Sequence, residues 1–260
     1  MHPTLGGVIA AYPLFLGLAT LSGAVVAGWV AFRVGVDPRR LLVFLLVPTL
    51  AALMGAKAYG LIEGGGAVGS FTAELFGNYR YPGAIVAWAL TVAALARHAH
   101  LGLSAGAVAD IVAPAFAFAM AVVRVGCLLA GCCAGSVCDL PWAIRFPAQS
   151  QVWNAQIAAG LINPDAPQSL YVHPLQIYFA LLSMCLFFVT LWLQNRKRFD
   201  GEVFLTYVAF YSLGQFLLEF LRFGKLPHVQ YLSLAVSILA FGALIARRGR
   251  AIVPAIRPQA

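Results

Sequence analysis

The chain is poor in charge. Of its 260 residues only 10% are Asp, Glu, Lys or Arg, and nine of these are acidic. Soluble domains carry about a quarter charged residues. A soluble fold of this size has no interior large enough to hide the 62% that are hydrophobic. No polar stretch is long enough to fold by itself, so residues 1–260 read as a single transmembrane domain. No charged segment precedes the first apolar run, which continues to membrane-spanning length, so a cleavable signal peptide is not expected. No internal repeat is visible, and an inverted-repeat transporter gains no support.

What the chain has in abundance is apolar sequence, with a mean hydropathy of +0.86. Seven apolar runs can be drawn, at 12–32, 41–62, 82–96, 106–131, 173–194, 203–222 and 231–246. Each is close to the ~20 residues that span a bilayer. The fold expected is an all-α integral membrane protein, a seven-helix bundle. The net charge is +8, which in a soluble protein would point to nucleic acid. Here position outweighs sum, and no nucleic-acid partner is expected. Eleven of the seventeen basic residues fall in four clusters: Arg33, Arg39 and Arg40; Arg97; Arg196, Lys197 and Arg198; Arg247, Arg248, Arg250 and Arg257. The clusters follow runs one, three, five and seven. By the positive-inside rule these segments and the C-terminus are cytoplasmic, and the N-terminus is periplasmic. The setting is a multi-pass protein of the bacterial inner (cytoplasmic) membrane. The forty or so residues 132–172, between the fourth and fifth runs, then form a small periplasmic head. Its centre, Gln149 to Leu161, reads as a short interfacial helix.

Charges inside an apolar run cost several kcal/mol unless paired or wetted, so each marks a candidate site. Arg124 lies about two turns from the outer end of the fourth run, and Asp110 near its inner end. Glu219 and Arg222 stand three apart near the outer end of the sixth, on one helical face. They fit either a buried ion pair or a cationic pocket in which Glu219 orients the guanidinium. Lys57 in the second run either snorkels to headgroups or lines a site. His173-Pro174 opens the fifth run, with Gln176 and Tyr178 just inside it. Four cysteines cluster at the outer end of the fourth run: Cys127, Cys132, Cys133 and Cys138. Their spacings lack the paired CxxC knuckles of zinc sites, so no metal is expected. A disulfide, inert thiols or a reactive thiol remain open.

These residues together resemble the prolipoprotein diacylglyceryl transferase family. The family's Asp-x-x-Ala-Pro is met by Asp110, Ala113 and Pro114, and its Arg-x-Gly signature by Arg124, Gly126, Gly131 and Gly135. Trp142 and Phe146-Pro147 match the segment that follows. The His-Pro-x-Gln-Leu-Tyr-Glu motif reads His173, Pro174, Gln176, Ile177, Tyr178 and Phe179. In the sixth run Gly-Arg-Phe-x-x-Glu-Phe-x-Arg reads Gly214, Gln215, Phe216, Glu219, Phe220 and Arg222. The chain departs from the family at three kinds of position. The sixth-run Arg is Gln215, the His-Gly-Gly is Tyr81-Pro82-Gly83, and the signature Asn and Glu are Cys127 and Cys132.

The resemblance implies a membrane transferase. It would take an anionic phospholipid donor, phosphatidylglycerol, at the periplasmic side and move diacylglycerol to a prolipoprotein or another acceptor, with no cofactor. It implies Arg124, His173, Cys127, Cys132 and Tyr81 as catalytic candidates. Arg124 would hold the leaving phosphate, and His173 or Tyr81 would take the proton. Arg222, Glu219, Gln215, Gln176, Tyr178, Gly126, Gly135 and Lys57 are the substrate-binding candidates. Competing readings are a related transferase with a non-lipoprotein acceptor, a membrane thiol–disulfide protein, and a non-catalytic lipid binder or transporter.

Overall fold

A computed structural model describes residues 4–5, 9–36, 104–224 and 227–252, with scattered positions between 46 and 59 and between 86 and 94. Helical residues fall on all seven apolar runs. The helices are α1 (Ala11–Val34), α2 (Ala105–Ala130), α3 (Gln151–Ala158), α4 (Leu175–Gln194), α5 (Glu202–Glu219) and α6 (Pro227–Ile252). A two-residue antiparallel hairpin, β1 (Thr4–Leu5) with β2 (Ile9–Ala10), precedes α1, and the other strand-like pairings among the described residues are isolated bridges. Among the described residues four helices are long and apolar enough to cross a membrane: α1, α2, α4 and α6. The chain has the make-up of a multi-pass membrane protein.

Two units divide the chain. Residues 28–105 form one of them. It contains the last two turns of α1, from Gly28, where the Arg33 guanidinium lies 4.5 Å over the Trp29 ring. It also contains Lys57, helical and half-buried. Arg39, Arg40, Arg97 and Tyr81 lie outside the described residues.

The other unit, residues 1–27 and 106–260, holds the remaining elements. Small residues set its packing, as suits helices that gain nothing hydrophobic by leaving lipid. The buried face of α2 is alanine: Ala113, Ala117 and Ala121. A Cβ added at Gly126 would sit 2.6 Å from that of Phe15, so α1 and α2 meet there almost backbone to backbone. Ala113 and Ala117 join Leu186 and Leu193 of α4 and Val203 and Tyr207 of α5 in one core cluster. On the other side of α5, Ala209 packs with Ala240 and Leu244 of α6, and Ser237 donates to the Ala209 carbonyl at 3.0 Å. Large apolar side chains such as Leu181, Leu239 and Ile245 point outward.

The segment between α2 and α4 is a packed head rather than a loose loop. Phe146 and Val172 are fully buried at its centre, with Ala134 and Val152. Ser150 caps α3, accepting from the Trp153 amide at 3.2 Å. The helix expected within 149–161 is there, as 151–158. Trp153 does not hang free, because its indole donates to the Ala166 carbonyl at 2.8 Å.

Candidate functional site

One short stretch of backbone, 131–137, ties three helices together. At the end of α2 the chain reverses at Gly131, which has φ +65° and leaves a Cβ no room beside Ser150. The Gly135 amide donates to the His173 carbonyl at 3.0 Å, and the His173 amide donates to Ser136 at 3.0 Å. The Ser136 amide donates to Leu221 at 2.7 Å, and Gly135 bridges to Arg222. A side chain at Gly135 would collide with the His173 Cβ at 2.5 Å and the Leu221 carbonyl at 2.8 Å. Only glycine lets the three strands of backbone approach, which gives this motif residue its physical reason. The result brings Arg124, Cys127, Cys132, His173, Gln176, Glu219 and Arg222 to one end of the unit.

Arg124 is the half-buried cation of this end. Its guanidinium lies 4.3 Å over the Phe179 ring of α4 and has the Tyr211 hydroxyl of α5 as a hydrogen-bond partner. Its Nε is buried with no bond. Asp110 is not its partner. Among the described residues the ion pairs of this unit join other side chains. Phe179 and Tyr211 thus hold the guanidinium without cancelling its charge.

Glu219 and Arg222 do form an ion pair. The Arg222 Nε donates to Glu219 Oε2 at 2.9 Å, and Glu219 is fully buried. The sixth run was expected to stay helical to 222. Instead α5 stops at Glu219. The Phe220 and Leu221 amides turn back to Leu217 and Leu218, which frees Arg222 to reach the Gly135 loop. Gln215 lies one turn before Glu219 on α5, half-buried, and Tyr211 one turn earlier still.

His173 precedes α4 and lies outside any helix. Its Nδ1 lies 3.4 Å from the Tyr178 hydroxyl, and Trp142 donates to the same hydroxyl at 2.7 Å. Gln176 turns the other way. It is buried, and its Nε2 donates to the Cys132 carbonyl at 2.6 Å. The two residues expected to share a face therefore serve different partners.

The Cys127, Cys132 and Cys133 sulfurs all lie within 4.8 Å of one another. All five cysteines are free thiols, with Cys127 and Cys132 buried and Cys133 exposed. Cys133 has φ +59°, a left-handed conformation that costs a non-glycine residue about 1 kcal/mol or more. The Cys132 thiol donates to the Cys127 carbonyl at 3.6 Å. The neighbouring thiols Cys127 and Cys132, with Arg124 and Arg222, hold the Cys133 pKa well below the usual thiol value. The Cys132 thiol is raised, by Cys127 and Cys133 and by burial. Cys138 stands apart, its amide bonded to the Tyr171 carbonyl at 3.0 Å.

Asp110 serves the opposite end. It is fully buried and accepts from the amides of Gly201 and Phe204 at 2.9 and 3.0 Å, at the N-terminus of α5. Lys197 pairs with it at 2.9 Å. Nearby, Glu202 is held by Arg248 at 2.6 Å. Two residues of the basic clusters are thus bound to buried carboxylates.

Sequence reasoning missed Tyr211, which reads as one more aromatic in an apolar run. Its one available signal was helical spacing: Tyr211, Gln215 and Glu219 recur every four residues. Of the expected site residues, Tyr81 falls outside the described residues, and Lys57 belongs to the other unit.

The sequence profile of the family described as prolipoprotein diacylglyceryl transferase matches residues 4–246. A protein of Clostridium tetani named phosphatidylglycerol–prolipoprotein diacylglyceryl transferase is 34% identical over 136 residues, which is 52% of this chain and 49% of the relative. One of Clostridium perfringens with that name and the number 2 is 33% identical over 136 residues, 50% of this chain and 48% of the relative. One of Geobacillus kaustophilus is 26% identical over 249 residues, 92% of this chain and 88% of the relative. The chain spans about half the length of the two clostridial relatives. With the profile running through nearly all its helices, the chain belongs to the prolipoprotein diacylglyceryl transferase family.

Proposed function

We propose that the chain transfers diacylglycerol from phosphatidylglycerol to the cysteine thiol of a prolipoprotein, at the periplasmic side of the inner membrane. The names of its relatives support the donor and the acceptor class. The observation that carries the reading is Arg124: a cation with no carboxylate partner among the described residues, resting on Phe179 beside Tyr211. An uncompensated cation at the end of an apolar helix calls for an anion. A lipid phosphate supplies one.

In this reading the acceptor thiolate attacks a glycerol carbon of the donor. A carbon–sulfur bond forms, the carbon–oxygen bond to phosphate breaks, and glycerol phosphate leaves. Arg124 stabilises the charge that gathers on the phosphate. Arg222, anchored through Nε to Glu219, turns its remaining donors to the same anion. Gln215 contributes neutral hydrogen bonds where relatives of this family carry a second guanidinium. His173 takes the thiol proton. If Tyr178 accepts from both Trp142 and His173 Nδ1, the His173 Nε2 is left as the basic nitrogen. The buried Cys127 and Cys132 take no part in the transfer step.

The test is the purified chain in detergent with phosphatidylglycerol labelled in its acyl chains and a cysteine-bearing lipoprotein signal peptide. Label on the peptide, with release of glycerol phosphate, is expected. Glycerol phosphate released with the peptide unmodified would point to another acceptor. Neither product would overturn the reading.

A further inference from the structure

Three cysteines meet at the C-terminal end of α2, where the sequence spacing lacks the paired knuckles of a zinc site. Cys127 ends the buried face of α2, and the turn at Gly131 folds the next residues back over it. The Cys132 amide returns to the Cys127 carbonyl at 3.1 Å. Gln176 fixes the Cys132 carbonyl from α4 at 2.6 Å. Cys133 is held in a left-handed conformation that a cysteine seldom adopts, and this turns its thiol back toward the other two.

The outcome is three sulfurs within 4.8 Å of one another, two buried and one exposed. A disulfide would use two of them, would need them about 2 Å apart, and would leave the third idle. A thiophilic ion uses all three. Zinc–sulfur bonds of about 2.3 Å in tetrahedral array place sulfurs about 3.8 Å apart, so the cage closes by about 1 Å at most. Gln176 supplies the outer support such a cage needs, and the exposed Cys133 supplies the entry path. Three thiolates leave one net negative charge around zinc(II) and two around copper(I).

We propose that Cys127, Cys132 and Cys133 form a binding site for a thiophilic metal ion, zinc(II) or copper(I), with one further coordination position open beside Cys133. Binding releases the thiol protons to solvent, and no change of oxidation state is involved. Cys138 and Cys185 are not ligands.

The site is tested on the full chain, purified in detergent under reducing conditions and loaded separately with zinc(II), cobalt(II) as its spectroscopic stand-in, and copper(I). One ion per chain is expected, with a thiolate-to-cobalt charge-transfer band in the cobalt arm. Cys138→Ser and Cys185→Ser should keep the ion. Cys133→Ser should weaken binding by at least about 100-fold. Because Cys133 is exposed, this variant keeps its fold, and thermal melting without metal checks that. An ion held in only one arm identifies the metal. No stoichiometric ion in any arm, equal retention by Cys133→Ser, or a disulfide joining two of the three sulfurs in the reduced, loaded chain would overturn the proposal. The readouts are metal content and spectrum, so a chain inactive in lipid transfer can still pass.

Discussion

Arg124 has an aromatic partner where an ion pair would have silenced it. The fifth-run motif of the family ends in Glu, and here that position is Phe179, whose ring lies under the guanidinium. A carboxylate there would neutralise Arg124, whereas a ring leaves its charge to be spent on a ligand. Phe179 is itself 1% exposed, so Phe179→Ala should cost about 3–5 kcal/mol of stability as well as the cation's seat. Thermal unfolding in detergent checks this, and an unchanged midpoint would show that Phe179 is not core. Glycine is equally specific at 135. Gly135→Ala should abolish transfer, because a Cβ would displace His173 and Leu221 together, and activity within twofold of the parent would refute that junction. Among the thiols, Cys133 has its pKa lowered by its two thiol neighbours and Arg124, and Cys132 has its own raised. A lowered pKa leaves more thiolate at a given pH. At mildly acidic pH, metal-free protein should therefore be alkylated at Cys133 before Cys132, and peptide mapping would show the reverse order if the assignment is wrong.

At the scale of elements, the ends of α5 do most to place the site. Asp110, on α2, accepts from two amides at its N-terminus, where a carboxylate complements the helix dipole. Asp110→Ala would leave those amides without their acceptor in a buried place, and Lys197 with Asp200 as its partner. The expected cost is about 3–5 kcal/mol, read as a lower melting temperature, with transfer lost only as the fold is lost. Elements of this kind were legible where lipid sets the rule. Spanning needs ~20 apolar residues, and the seven runs fall on helices for that reason. The charges inside the runs were equally legible as candidates, because their cost makes them exceptional. What stayed hidden were contacts made by backbone between distant segments. Nothing in the spacing of Asp110 and Gly201 announces that one caps the helix after the other. The early end of α5, which carries Arg222 off the helix, depends on the Gly135 loop. The cysteines were legible as a cluster, but that the turn at Gly131 folds Cys132 and Cys133 back over Cys127 was not written in their spacing.

For the whole molecule, outward Leu181, Leu239 and Ile245 and an inner lining of alanine and paired charge reverse the pattern of a soluble fold, as lipid requires. Buried carboxylates with basic partners gather at the α5 N-terminal end, and the cation-rich site at the other. The proposed orientation puts Cys133 outside. In intact spheroplasts, a membrane-impermeant maleimide should label Cys133, and labelling confined to inverted vesicles would reverse the orientation. The most direct test of the account is phospholipid retention by the purified chain and by Arg124→Gln, followed by native mass spectrometry. The parent should retain phosphatidylglycerol over neutral diacylglycerol, and Arg124→Gln should lose that preference by about 10- to 100-fold, as expected for one charge-assisted contact. Equal retention of phosphatidylglycerol by the two chains would contradict it.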